Sequence, residues 1–284
     1  MYVSAARRLR DDFAALVAAG ERTDLGRAAL AIARIAYPTL EPAPHLAELD
    51  ALAEGARERV VAARVPEGAA VALAGYLFGE CGFRGNQQDY YDPRNSFLND
   101  VLERRTGLPI TLALVFMEAG ARLGLSVTGV GFPGHFLVRV ESDAGSVVLD
   151  PFFGGRLLDV GELLARYRAF LGPRGDGVTS LPSDVLAATD APAILARMLR
   201  NLLHVYLDRR DHAHALEAVD LLLVLTPDAP EDVRLRGLLY ERLECFGAAL
   251  ADLRRYLELA PGAPDAQAID ARAARLAHAA AAVH

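Results

Sequence analysis

His135 and Asp150 are the pair in this chain whose residue types and placement could do chemistry together. A carboxylate that binds one ring nitrogen of a histidine fixes its tautomer, and the other nitrogen is then free as a base or an acid. The local sequence brings the two close. HFLVRVE alternates, with Phe136, Val138 and Val140 on one strand face and His135, Leu137, Arg139 and Glu141 on the other. Ser142-Asp143-Ala144-Gly145 is a turn signal, and Ser146–Asp150 reads as the returning strand. With those four residues as the loop, Glu141 faces Ser146 and Leu137 faces Asp150. His135 and Asp150 then become diagonal neighbours on one face, roughly 7 Å apart at the backbone. A slip of one residue would put them on opposite faces. The plainer alternative is a structural hydrogen-bonded pair at a sheet edge.

An amphipathic helix precedes the strand. Leu112, Val115, Phe116, Ala119 and Leu123 recur at steps of three and four, Pro109 suits the first turn, and Gly124 suits a left-handed end. A polar set leads into it. Asn95 and Asn99 are spaced to share a helix face, and Arg104 and Arg105 could grip a carboxylate, as a ligand site or as internal ties of a loop. Thr111, at the helix start, is a binding candidate whose plainer role is capping. Cys81 reads as a small buried thiol, with a displaced nucleophile as the alternative, and Cys245 as packing. His212 and His214 are too poorly spaced for a metal pair, and Gly82–Gly85 is too short for a phosphate loop. Nothing here calls for a cofactor or metal.

The stretch FGECGFRGNQQDYYDPRNSFLNDVLERRTGLPITLALVFMEAGARLGL, continued by GVGFPGHFLVRV and LDPFFGGRLL, resembles the SirB family of transglutaminase-like proteins over about Phe78–Leu158. The resemblance implies a transglutaminase or papain-like core preceded by helices and followed by tetratricopeptide-like repeats. It carries His135 and Asp150 onto the His and Asp of the catalytic triad. It also sets Gly107-Leu108-Pro109-Ile110-Thr111 where a true transglutaminase has its nucleophilic cysteine. The chain follows its own family there and departs from the wider superfamily, so the triad reads as vestigial.

The rest of the chain agrees with an α+β protein. Arg7–Ala19, Asp24–Tyr37, Pro44–Val65 and Gly68–Phe78 have helical apolar spacing, and Asp159–Leu171 is a further helix. A linker is expected at 172–189, rich in Gly, Pro, Ser and Asp. Beyond it, Tyr206 and Tyr240, Ala215 and Ala249, Val219 and Leu253, and Pro227 and Pro261 recur at the tetratricopeptide period, followed by a helix over Ala266–Ala280. The expected organisation is a helical region plus core over 1–171, the linker, and repeats over 190–284. The repeats could offer a peptide groove or serve as a buttress. Formal net charge is −7 and every basic residue is arginine, which disfavours nucleic acid. No apolar run has membrane length, the N-terminus lacks a signal-peptide pattern, and two cysteines make no disulfide framework, so the cytoplasm is expected. Without the thiol, covalent acyl transfer loses its first step. The expected function is a non-catalytic scaffold that binds a protein or peptide through the repeats or the cleft. The alternative is a hydrolase or acyltransferase using His135 and Asp150 with a non-standard nucleophile.

Overall fold

The computed structural model describes residues 2–63, 65–142 and 145–282. In chain order the elements are α1 (Tyr2–Val17), α2 (Leu25–Ala33), α3 (Pro42–Ala62), α4 (Pro66–Ala74), β1 (Arg84–Gly85), α5 (Leu98–Arg104), β2 (Thr106–Gly107) and α6 (Pro109–Arg122). They continue with β3 (Val127–Val130), β4 (Leu137–Ser142), β5 (Gly145–Asp150), β6 (Arg156–Leu158), α7 (Val160–Leu171) and β7 (Ala188–Thr189). Five helices follow: α8 (Ala191–Asp208), α9 (His212–Leu225), α10 (Pro230–Arg242), α11 (Phe246–Leu259) and α12 (Ala266–Ala282). The chain divides into two compact units, one of Ala19–Ala33 and Thr39–Met198, the other of Met1–Ala18, Arg34–Pro38 and Leu199–His284. Residues 1–18 and 34–38 therefore group with the repeats rather than with the segment expected over 1–171.

The first unit is α+β. Its sheet has five antiparallel strands in the order β6-β5-β4-β3-β7. Glu141 pairs with Ser146 and Val138 with Leu149, the register read from the alternation. Of the expected turn, Asp143 and Ala144 lie outside the described residues. Both sheet faces are covered. Helices α4 and α6 lie against β4, where Val138 and Val140 are buried. On the other face Leu137 joins Val130, Phe132, Val148, Leu158 and Leu163, with Tyr167, Leu181 and Val185 packed against them. That second layer explains why Leu137 is as buried as its neighbours. The segment expected as a linker contributes to the sheet, since Ala188 and Thr189 pair with Val130 and Gly129. Two residues are too short a strand for alternation to reveal.

Helix α6 is the centre of this unit. Ten of its fourteen residues are buried, and Gly124 follows it at φ +78°. Pro109 opens it, where no intrahelical donor is lost. The chain before it differs from the reading that put Asn95 and Asn99 on one helix. Asn95 ends a separate 3₁₀ turn (Pro93–Asn95), and Asn99 belongs to α5.

The second unit realises the repeat. Helices α9 and α11 begin at His212 and Phe246, and α8 and α10 end at Asp208 and Arg242, a period of 34 residues. The turn between paired helices also repeats. Arg210 and Glu244 are left-handed at φ 57° and 59°. Asp211 and Cys245 then donate backbone N–H bonds to the carbonyls of Tyr206 and Tyr240. Cys245, expected to be packed, is exposed. Within this unit α1 packs on α9, with Leu9 and Phe13 buried.

A side chain held left-handed costs more than glycine does there. Glu244→Gly is therefore expected to stabilise the protein by about 0.5 kcal/mol, and Glu244→Ala is not. Denaturant midpoints of the two variants check this, and an equal or lower midpoint for the glycine variant would refute it.

Candidate functional site

Two tight turns set the His135–Asp150 pair. Phe132-Pro133-Gly134-His135 closes with a 2.9 Å bond from the His135 N–H to the Phe132 carbonyl. Proline followed by a residue at positive φ is the type II pattern, and Gly134 supplies φ +70°. His135 thus stands just before β4 rather than within it. At the other end, Asp150 closes β5 and caps the 3₁₀ turn Pro151–Phe153, accepting the Phe152 N–H at 3.1 Å. The pair that spacing placed together does meet: His135 Nε2 lies 2.8 Å from Asp150 Oδ1.

Asp150 is fully buried, and His135 keeps 17% of its side-chain surface. The carboxylate is saturated. Oδ1 takes His135 and the Phe152 N–H, and Oδ2 accepts Arg166 Nη1 from α7 at 2.5 Å. Burial pushes the Asp150 carboxyl up, but His135 and Arg166 outweigh it and hold the group below the usual carboxylate range. An ionised carboxylate only accepts, so Nε2 carries a proton, and in the neutral imidazole Nδ1 is then the acceptor. Among the described residues, none is hydrogen-bonded to Nδ1. The His135 backbone is held as well, since Arg197 Nη2 donates to its carbonyl at 2.7 Å while the guanidinium lies over Phe136.

Aromatic rings surround the imidazole. Phe153 stacks on His135 and Phe152 stands edge-on to it, each 6.0 Å away between centroids. Phe152 also meets Tyr90, and Tyr90 meets Tyr91. Phe170 reaches the same place, 3.1 Å from where a Cβ on Gly134 would stand. Tyr90, Tyr91, Phe153 and Phe170 are all exposed. Burial pushes the Tyr90 phenol up, against the pull of Arg197. Arg166, Arg197 and these rings escaped the sequence reading. Asp150-Pro151-Phe152-Phe153 was a visible signal for two of them, but the arginines lie on distant helices with nothing local to mark them.

Among the described residues, no thiol is hydrogen-bonded to His135 or Asp150. Pro109 and Ile110 are buried at the start of α6. Gly85 pairs with Gly107 just before that helix, and the Phe152 ring lies within 2.5 Å of where a Cβ on Gly85 would stand. Phe152 therefore bridges from this ribbon to His135. Cys81 is half-buried, and its thiol meets the Tyr76 hydroxyl.

The other sequence candidates make a loop framework. Asn95 has no exposed surface. Its Nδ2 donates to the Asp89 and Tyr90 carbonyls, and its Oδ1 accepts from Asn86. Thr111, equally buried, donates to the Asn95 carbonyl at 2.8 Å and accepts the Leu108 N–H at 2.9 Å. Asn99 is buried with an Oδ1 that has no partner among the described residues. Arg104 and Arg105 diverge rather than form one clamp: Arg104 pairs with Asp92, while Arg105 pairs with Glu48 and covers Phe83. Burial pushes Asp92 up, yet Arg94 and Arg104 hold it low. His214 stacks on Tyr206 and bonds Asp211. Among the described residues, no cluster of metal-ligating side chains occurs.

Removing the Asp150 carboxylate leaves three donors without an acceptor. Asp150→Ala is expected to cost about 3 kcal/mol. The unfolded chain takes up the proton at this group first. Its stabilisation is therefore complete above about pH 4 and declines as pH falls through the lower folded value. Urea titrations of the wild type and Asp150→Asn should show a shallower acid decline in the variant. At Gly85 a methyl group meets a buried ring, so Gly85→Ala is expected to cost about 1–3 kcal/mol, and Gly85→Ala with Phe152→Leu should recover part of it. An unchanged midpoint for the single variant would show that the ring moves freely.

A family model described as the transglutaminase-like superfamily matches residues 43–200, and a tetratricopeptide repeat model matches residues 202–274. A UPF0162 protein of Xylella fastidiosa strain Temecula1 is 42% identical over 241 residues, covering 85% of each chain. Protein SirB1 of Salmonella typhimurium is 29% identical over 231 residues, 81% of this chain and 84% of its own. F-box only protein 21 of Pongo abelii is 32% identical over 200 residues, 66% of this chain but 30% of its own. No solved structure matches. Family models that adjoin at the start of the repeats, and relatives that share both parts, agree with the fold: the chain belongs with the UPF0162 and SirB1 proteins in the transglutaminase-like superfamily.

Proposed function

We propose that the protein is a non-catalytic binding module whose transglutaminase-like core holds a peptide segment against the rings around His135. The observation that carries this reading is the surrounding of the imidazole. A protein built for thiol acyl transfer needs a nucleophile within hydrogen-bond reach of the base. His135 instead has the phenylalanine rings of Phe152 and Phe153, with a buried Pro109-Ile110 at the helix start. Exposed aromatic side chains gathered at one place suit recognition, because they bury large area with little entropy to lose. In this reading Asn95 and Thr111 hold the loop that presents Tyr90, and Asp150 and Arg166 fix the imidazole. Tetratricopeptide repeats generally mediate protein interactions, which agrees with a partner-binding role. Two free cysteines suit a reducing compartment, and the cytoplasm is the one we infer.

A hydrolase acting through water is the second reading, favoured by one feature. His135 has Nε2 fixed by Asp150 and Nδ1 without a hydrogen-bonded neighbour among the described residues. That is the arrangement of a general base.

An acyl-transfer and peptidase screen of the wild type and His135→Ala separates the readings. The expected outcome is no turnover that depends on His135, together with alkylation of Cys81 at the same rate in both proteins. An activity abolished by His135→Ala, with the fold retained, would establish the hydrolase.

A further inference from the structure

Beside the aromatic surface, the loop after β1 borders an open cavity of about 830 Å³ lined mostly by polar side chains. Arg84, Gln87, Gln88, Arg94 and Arg104 face it, together with Asp92. The buried Asp92 carboxylate is shared between Arg94 and Arg104. Arg84 is exposed, and its side chain has no hydrogen bond or ion pair among the described residues. Three arginines and two aspartates, Asp89 being the second, line the cavity and leave one positive charge over. The whole chain has a formal net charge of −7, so long-range attraction does not draw anions here. Any preference for an anion must be local.

We propose that this cavity receives a carboxylate side chain of an acidic peptide whose apolar residue lies on the aromatic surface at His135. The inference rests on the peptide-binding reading and names the partner's chemistry. A single residual charge matches a carboxylate better than a doubly charged phosphate. The amides of Gln87 and Gln88 supply further donors for the carboxylate and acceptors for a backbone N–H. Continuity makes the occupant a peptide. Gly85 lines the cavity and carries the Phe152 ring, and Phe152 touches both Tyr90 and His135. One extended segment can thus put an apolar group on the rings and an acid beside Arg84.

Fluorescein-labelled alanine octapeptides test this, each holding one phenylalanine and one glutamate separated by zero to five residues, beside twins with glutamine for glutamate. Anisotropy titrations should show at least one spacing at which the glutamate peptide binds more tightly than its twin. Arg84→Ala should erase that preference, a loss of roughly fivefold, while leaving the glutamine twin's affinity unchanged. Arg84 is exposed, so melting should not change. Phe153→Ala should weaken both twins equally. Equal affinity of the twins for the wild type, or a preference that survives Arg84→Ala, overturns the cavity assignment while a Phe153 effect keeps the binding reading alive. Glutamate selectivity that ignores Phe153→Ala removes the aromatic surface from the binding reading. Absence of binding across the array overturns both. Inorganic phosphate that displaces the peptide at lower concentration than butyrate, a single carboxylate, overturns the carboxylate assignment.

Discussion

A carboxylate with no access to water must find all its partners inside the protein, or it is not charged at all. Asp150 meets that demand with three donors from three places: the ring of His135, the backbone of Phe152 and the guanidinium of Arg166. Each partner belongs to a different element. The histidine comes from the turn before β4, the amide from the turn after β5, and the arginine from α7. One buried charge thus fixes the end of the hairpin, orients the imidazole and anchors a helix over the sheet. Losing any one partner leaves the others short of a mate, which is why such clusters resist piecemeal change.

The same framework in a thiol enzyme would present the histidine to a cysteine at the start of the central helix. Here the helix starts with proline and isoleucine, both buried. His135 and Asp150 are hydrogen-bonded, and the rings of Phe152 and Phe153 lie against the imidazole. Base, carboxylate and nucleophile serve catalysis only as a set, since a base with nothing to activate does no covalent work. The imidazole, with 17% of its side-chain surface exposed, is held by the carboxylate and set among rings.

Polar residues near the site divide by burial rather than by type. Asn95 and Thr111 direct every side-chain hydrogen bond inward and hold the loop of residues 86–95 to the start of α6. Gln87, Gln88 and Arg84 lie on the open side of that loop. A buried amide must satisfy its donors and acceptor locally, so it becomes a post. An exposed one can exchange water for a ligand. The distinction separates residues that look alike in a motif.

Local periodicity carried far in this chain. The alternation of HFLVRVE and the turn residues after it fixed the register of β4 and β5, and with it the meeting of His135 and Asp150. Steps of three and four marked α6, and a 34-residue recurrence marked the paired helices. These features depend on neighbours within a turn or a strand, so the sequence alone determined them. Arg166 on Asp150, Arg197 on the His135 carbonyl, the β7 edge strand and the grouping of α1 with the repeats were decided only by the tertiary structure. An arginine's long side chain leaves no periodic trace of what it reaches, a two-residue strand has no alternation, and a helix's apolar stripe says that it is covered but not by what. The exposed rings show the same limit. Their residue types were plain in the sequence, but their gathering around one imidazole exists only in the folded chain.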